Sequence, residues 1–110
     1  MAYLAISLLG PFQVILNGEP VTRFGADTAR ALLAYLALHP DQSCRRERLA
    51  GLLWPDQPEP VARQNLRQAL SRLRAAIGDR EADPPFLLAT RKTICFNPEC
   101  DYWLDAVEFD

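Results

Sequence analysis

Between Val61 and Ile77 the sequence sets Arg63, Arg67, Arg72 and Arg74 among Gln64, Asn65, Gln68 and Ser71, with no acid in the run. Guanidinium groups grip phosphates and, together with amides, read base edges through paired hydrogen bonds. The chemistry on offer is recognition of a nucleic acid, not the making or breaking of bonds. Elsewhere the chain shows no Ser/His/Asp set, no glycine-rich phosphate loop and no metal-ligand spacing. It has a single histidine, His39, and no CxxC pair. No enzyme, metal site or cofactor is expected from such a set.

The spacing predicts one long helix over residues 59–77. Ala62, Leu66, Ala69, Leu70, Leu73 and Ile77 fall on one apolar stripe. At about 100° per residue, Gln64, Arg67, Gln68, Ser71 and Ala75 fall opposite it. Arg63 and Arg74 flank that outward face on one side, Arg72 and Asn65 on the other. A core helix with an ordinary solvated face would show the same pattern, so the neighbouring elements have to decide.

Residues 45–53 read as a shorter helix with Leu49, Leu52 and Leu53 inward and Ser43 as its candidate cap. Arg45, Arg46 and Arg48 fall in its first turn, where cations oppose the helix dipole. A nearby polyanion would remove that penalty and also meet the free N–H groups; ordinary surface arginines are the alternative. Trp54-Pro55 stops this helix, and residues 55–58 form a short, proline-stiffened connector. Pro60 suits the first turn of the long helix, so the two make a helix-turn-helix. Gly78 is placed to end the long helix in a left-handed conformation. A polar, proline-rich loop over 79–85 leads to two strands, 86–89 and Thr93–Phe96, joined through Thr90-Arg91-Lys92. A hairpin with two cations at its tip, directly after a helix-turn-helix, reads as a wing, with a solvated turn as the alternative.

The first part of the chain must support these elements. Residues 3–9 alternate as a strand, and Phe12, Val14 and Leu16 form a second run. Asn17-Gly18 is a strong hairpin signal, and Pro20-Val21-Thr22 can give only a short return strand at an edge. This small antiparallel meander must pack against a helix to be stable. Residues 26–38 supply one, with Ala29, Leu32, Leu33 and Leu36 as its buried stripe, ended by His39-Pro40. His39 is expected against helix-terminal carbonyls, and Cys95 as a core thiol.

A chain of 110 residues, 49% of them hydrophobic, is long and apolar enough for one globular domain. No run of about 18 apolar residues predicts a membrane span, and the start MAYLAISLLG does not read as a signal peptide. Three cysteines, Cys44, Cys95 and Cys100, suit a reducing cytoplasm better than a disulfide framework. The net charge of −2 hides an asymmetry: 5 of the 14 acids lie beyond Pro98, so residues 1–98 hold all 12 bases against 9 acids, a net of +3. Residues 1–98 therefore read as one domain and residues 99–110 as an acidic tail.

The order of elements resembles the OmpR-type winged helix-turn-helix, an α+β fold with an N-terminal antiparallel meander, three helices and a C-terminal hairpin wing. More narrowly, the chain is similar to the DNA-binding domain of the SARP class, the antibiotic regulatory protein type of transcriptional activator. The resembling residues are Leu8-Leu9-Gly10-Pro11-Phe12 with Asn17-Gly18, Ala31-Leu32-Leu33-Ala34-Tyr35-Leu36-Ala37, and Leu49 with Leu52-Leu53-Trp54-Pro55. Ala62-Arg63, Asn65-Leu66, Ser71-Arg72-Leu73-Arg74, Asn97-Pro98 and Trp103-Leu104-Asp105 complete the set, which spans about residues 3–110.

The resemblance implies that the long helix enters the major groove and the wing touches the minor groove of double-stranded DNA. Gln64, Gln68, Ser71 and Arg72 would face bases. Arg45, Arg46, Arg67 and Arg74 would contact phosphates, and Arg91 and Lys92 would form the wing tip. It further implies binding to tandem repeats, with chains pairing on the DNA, and a bacterial transcriptional activator domain beginning in the tail over 99–110. Arg45 departs from the pattern, standing where many relatives carry a capping serine. RNA polymerase is a partner the resemblance admits at the connector over 55–59, whose composition is generic. The expectation is sequence-specific DNA binding in a bacterial regulator; a winged helix that binds protein and not DNA is the rival.

Overall fold

A computed structural model describes residues 3–9, 11–25, 27–40 and 42–105. Its elements are β1 (Tyr3–Ser7), β2 (Gln13–Leu16), β3 (Glu19–Pro20), α1 (Asp27–Leu38), β4 (Cys44–Arg45), α2 (Arg46–Leu53), α3 (Glu59–Ala76), β5 (Leu87–Ala89), β6 (Thr93–Phe96) and β7 (Asp101–Leu104). Three helices lie between a four-stranded sheet of order β3-β2-β1-β7 and a three-stranded sheet of order β4-β6-β5. This is the α+β winged helix-turn-helix that the sequence predicts.

The N-terminal hairpin turns as its residues require. Asn17 and Gly18 both take positive φ, 52° and 85°, the conformation of a two-residue turn matched to strand twist. Asn17 also closes the end of β1: its N–H donates to Tyr3 O at 2.8 Å, and its Oδ1 accepts from Tyr3 N at 2.7 Å. Pro20 sits on β3, the edge strand, where a missing N–H does least harm.

Residues 8 and 9, expected in the first strand, lie outside it. Their N–H groups turn to the Asp105 carboxylate instead, at 2.8 and 3.0 Å. That carboxylate is 8% exposed and follows β7, which runs parallel to β1 with Ala5 opposite Trp103. Within the acidic stretch, Asp101–Leu104 form β7, the fourth strand of the first sheet.

The core is shared by all layers. Leu4 and Ile6 of β1, Leu32, Leu33 and Leu36 of α1, Leu66 and Leu73 of α3, and Ile94 and Phe96 of β6 are fully buried. The apolar stripe of α3 faces inward as its spacing predicts, at Ala62, Leu66, Ala69, Leu70 and Leu73. On α2 the expectation was partly wrong. Leu49 is buried, but Leu52 is 52% exposed. Ala50 is buried in its place, so the inward direction lies between Leu49, Ala50 and Leu53 and leaves Leu52 about 100° off it. His39 also differs: its ring packs on Tyr35 at 4.8 Å.

Gly78, at φ 63°, ends α3 as anticipated. Asp79 N donates to Arg74 O at 2.9 Å and Gly78 N to Ala75 O at 3.4 Å, the paired bonds of a Schellman motif. Cys44 and Cys100 are free thiols, and Cys95 is buried with its Sγ donating to Phe96 O at 3.2 Å. Burial pushes the Cys100 thiol up to about 11, and its Sγ donates to Asn97 O at 2.9 Å.

Candidate nucleic-acid interface

The long helix is held along its whole inner face, which fixes the direction of its outer one. Gln64, Gln68, Ser71 and Arg72 are all exposed there. Gln64, Gln68 and Ser71 recur at four and three residues and so lie on one line along the surface. Arg72 sits beside that line, with its stem laid over the turn that precedes α1. Gly25 holds φ +81° in that turn, and a Cβ built on it would meet Arg72 Cδ at 3.1 Å. The Arg72 head is thus carried on a stem with a fixed neighbour.

On the other flank, α3 faces the wing. The wing turn closes on itself: Thr90 N donates to Thr93 O at 2.8 Å, and the Thr90 hydroxyl accepts from Lys92 N and Thr93 N at 3.2 and 3.0 Å. Arg91 and Lys92 are exposed at the tip. A third strand that the sequence did not reveal, β4, pairs with β6 (Cys44 opposite Ile94, Arg45 opposite Thr93) and runs straight into α2. This pairing replaces the expected Ser43 cap. Arg45, the last residue of β4, stands at the N-cap position of α2 with no side-chain bond to the helix, and the Arg46 N–H donates to Lys92 O at 2.8 Å. A wing carbonyl thereby satisfies one of the helix's first N–H groups.

Between α3 and the wing lies an open groove of about 510 Å³, lined by Arg46, Arg63, Leu66, Arg67, Thr90 and Arg91. Among the described residues, four guanidinium groups border it and no carboxylate does. Burial, and then the like charges of Arg67 and Arg74, draw Arg46 below the usual guanidinium value. Like charges held this close raise the local potential for an anion. Arg45 lines a second concavity of about 360 Å³ with Arg63, Lys92 and Thr93, and the carboxylate of Glu47 lines it too.

The phosphate-contact candidates thus separate. Arg46 and Arg67 share the groove with Arg91, and Arg45 stands beside Lys92. Arg74 is engaged: its Nε donates to Asp79 Oδ2 at 3.1 Å. The Asp79 carboxylate is itself buried, and its Oδ1 accepts from Phe86 N and Leu87 N at 2.7 and 3.0 Å. Arg63 was not among the candidates, although it borders both concavities. Its position on the flank of α3 was legible, but the approach of the wing was not. No group of three or more His, Cys, Asp or Glu residues suited to a metal ion lies among the described residues. No described helix is long and apolar enough to cross a membrane.

Residues 25–93 match the family described as "Transcriptional regulatory protein, C terminal". Over 86 residues, 78% of this chain, the sequence is 34% identical to the transcriptional regulatory protein EmbR of Mycobacterium bovis. The same figures, 34% over 86 residues, hold for EmbR of Mycobacterium tuberculosis. The chain spans 22% of the length of these curated relatives. Among solved structures, Mycobacterium tuberculosis EmbR in complex with a low affinity phosphopeptide superimposes with a TM-score of 0.72 at 30% identity, over 88% of this chain and 26% of that one. EmbR is a SARP-family transcriptional regulator.

Proposed function

Because the chain belongs to the family of C-terminal domains of transcriptional regulatory proteins and is of the SARP class, we propose that it is the sequence-specific DNA-binding domain of a bacterial transcriptional activator. In this reading α3 enters the major groove with Gln64, Gln68, Ser71 and Arg72 toward base edges, and the β5–β6 wing touches the adjacent minor groove. The observation that carries it is the pairing of two surfaces on one face: an exposed amide line on α3 and, beside it, a groove bordered by four arginines and no acid. The first supplies direct readout and the second holds the phosphate backbone that sets the register. Arg45 of β4 and Arg67 of α3 are the proposed phosphate contacts, with Arg91 and Lys92 from the wing, while Arg74 is held by Asp79.

Two chains would pair on tandem repeats, in the cytoplasm, with RNA polymerase as a further partner. A following activator domain would begin beyond β7. The phosphopeptide belongs to the EmbR structure, and no feature of the arginine groove selects a peptide over a duplex. Titration with a two-site duplex at rising salt tests the reading. Binding should fall steeply, by about 0.9 in log affinity per log salt for each phosphate contact. No measurable duplex binding at low salt would hand the fold to the protein-binding alternative.

A further inference from the structure

Arg46 carries the same charge as its neighbours in the groove but is placed differently. Its Nε–H donates to Thr90 O at 2.9 Å, while its backbone N–H donates to Lys92 O at 2.8 Å. The two acceptors are the wing-tip carbonyls on either side of Arg91. Arg46 is also the first residue of α2, and Arg45 before it is hydrogen-bonded into β6 opposite Thr93. One residue therefore joins the start of α2 to both shoulders of the tip. The Nε bond holds its half-buried guanidinium in place against the repulsion of Arg67 and Arg74.

We infer that Arg46 is a positioning residue: it straps the wing tip to the start of α2 and so fixes Arg91 and Lys92 against the cations of α3. The strap belongs to the free protein. Its consequence for affinity rests on the duplex-binding reading proposed above. The inference replaces a direct phosphate contact at Arg46 with an indirect role, and it leaves Arg63, Arg67 and Arg91 to meet the anion in the groove.

Two substitutions separate the roles. Arg46→Gln removes the charge but sets an amide N–H at the same bond count from Cα as the arginine Nε, so Thr90 keeps a donor. Arg46→Met keeps the length and loses both. In ¹⁵N relaxation on the free chain, the amides of Arg91 and Lys92 should fall in Arg46→Met from the rigid order parameter of about 0.85 toward about 0.6, and stay near the parent in Arg46→Gln. On a mixed-sequence duplex, Arg46→Met should lower the salt slope by about 1–2, nearly as far as removing both wing cations, and should add nothing when Arg91 and Lys92 are already alanine. Arg46→Gln should leave the slope within about 0.3 of the parent.

A slope loss of about 0.9 in both variants, with the tip still ordered, overturns the inference and makes Arg46 a phosphate contact. If Arg46→Met does not fold, Arg46→Gln decides alone by the same two readings. A tip that loosens in Arg46→Met while the parent chain binds no duplex upholds the strap and removes the DNA reading instead.

Discussion

The two ends of α3 use arginine in opposite ways. At its C-terminal end Arg74 meets Asp79, whose side chain is 1% exposed, and the same carboxylate takes the N–H groups of Phe86 and Leu87. Arg74 and Asp79 partner each other, and the cluster joins the end of α3 to the start of the wing. Toward the N-terminal end, Arg63 and Arg67 join Arg46 and Arg91 around a groove that no acid lines. Arg63 pairs with Glu59 at 3.9 Å, a bridge that is exposed and contributes little. An arginine serves the fold where a carboxylate is buried against it, and is left for a partner where none is. The number of arginines on a helix does not separate these cases; the position of the acids does.

The contrast fails if the paired end does not matter more to folding than the unpaired one. Asp79→Ala should cost about 3–5 kcal/mol in a denaturant titration, because it strands two buried N–H groups and a guanidinium. Asp79→Asn keeps an acceptor for the N–H groups and should cost less. Leu66→Ala or Leu73→Ala should destabilise by about 2–5 kcal/mol through the cavity each leaves. Gln68→Ala, on the exposed line, should leave the melting temperature nearly unchanged; a drop as large as that of Leu73→Ala would mean that α3 is rotated from this orientation.

The unpaired face should respond in binding and not in folding. Arg72→Ala should cost about 1–3 kcal/mol on a preferred site and relax selectivity at one base pair, measured against random duplex in parallel. An equal loss on both duplexes would reassign Arg72 to phosphate. Replacing Arg91 and Lys92 together by alanine should leave the melt unchanged and shrink the salt slope by nearly 2. An unchanged slope would show that the tip points away from DNA.

Most of this architecture was legible because it is local. The stripe from Ala62 to Leu73, the Asn17-Gly18 turn, the Gly78 stop and the hairpin around Arg91 each follow from neighbours within a few residues. What was missed depends on distant pairing. β4 is two residues long and has no period of its own; it is a strand only because Thr93 and Ile94 lie beside it. Asp79 reads as one more polar loop residue until the backbone of residues 86 and 87 folds back over it. Asp105 reads as part of an acidic tail until Leu8 and Leu9 turn toward it. Leu52 was misjudged because a helix of eight residues has too few apolar positions to fix its inward direction. In the candidate interface, exposure of the amide line followed from helix geometry. The role of Arg46 and the place of Arg63 follow from where the wing lands.

The parallel pairing of β1 with β7 has a consequence for synthesis. The bond from Leu8 to Asp105 spans 97 positions, and each β1–β7 pair spans one more. A strand with so distant a neighbour closes a large loop, and such contacts form slowly. During translation β1 leaves the ribosome well before β7, and its β7 side stays an open edge until residues 101–105 have followed. In that interval the N–H groups of Leu8 and Leu9 have only water, and the strand edge is open to wrong partners. The helices and the wing between the two strands have all their own pairings by then. The face that carries the arginines can therefore be complete on the nascent chain before the sheet behind it is closed.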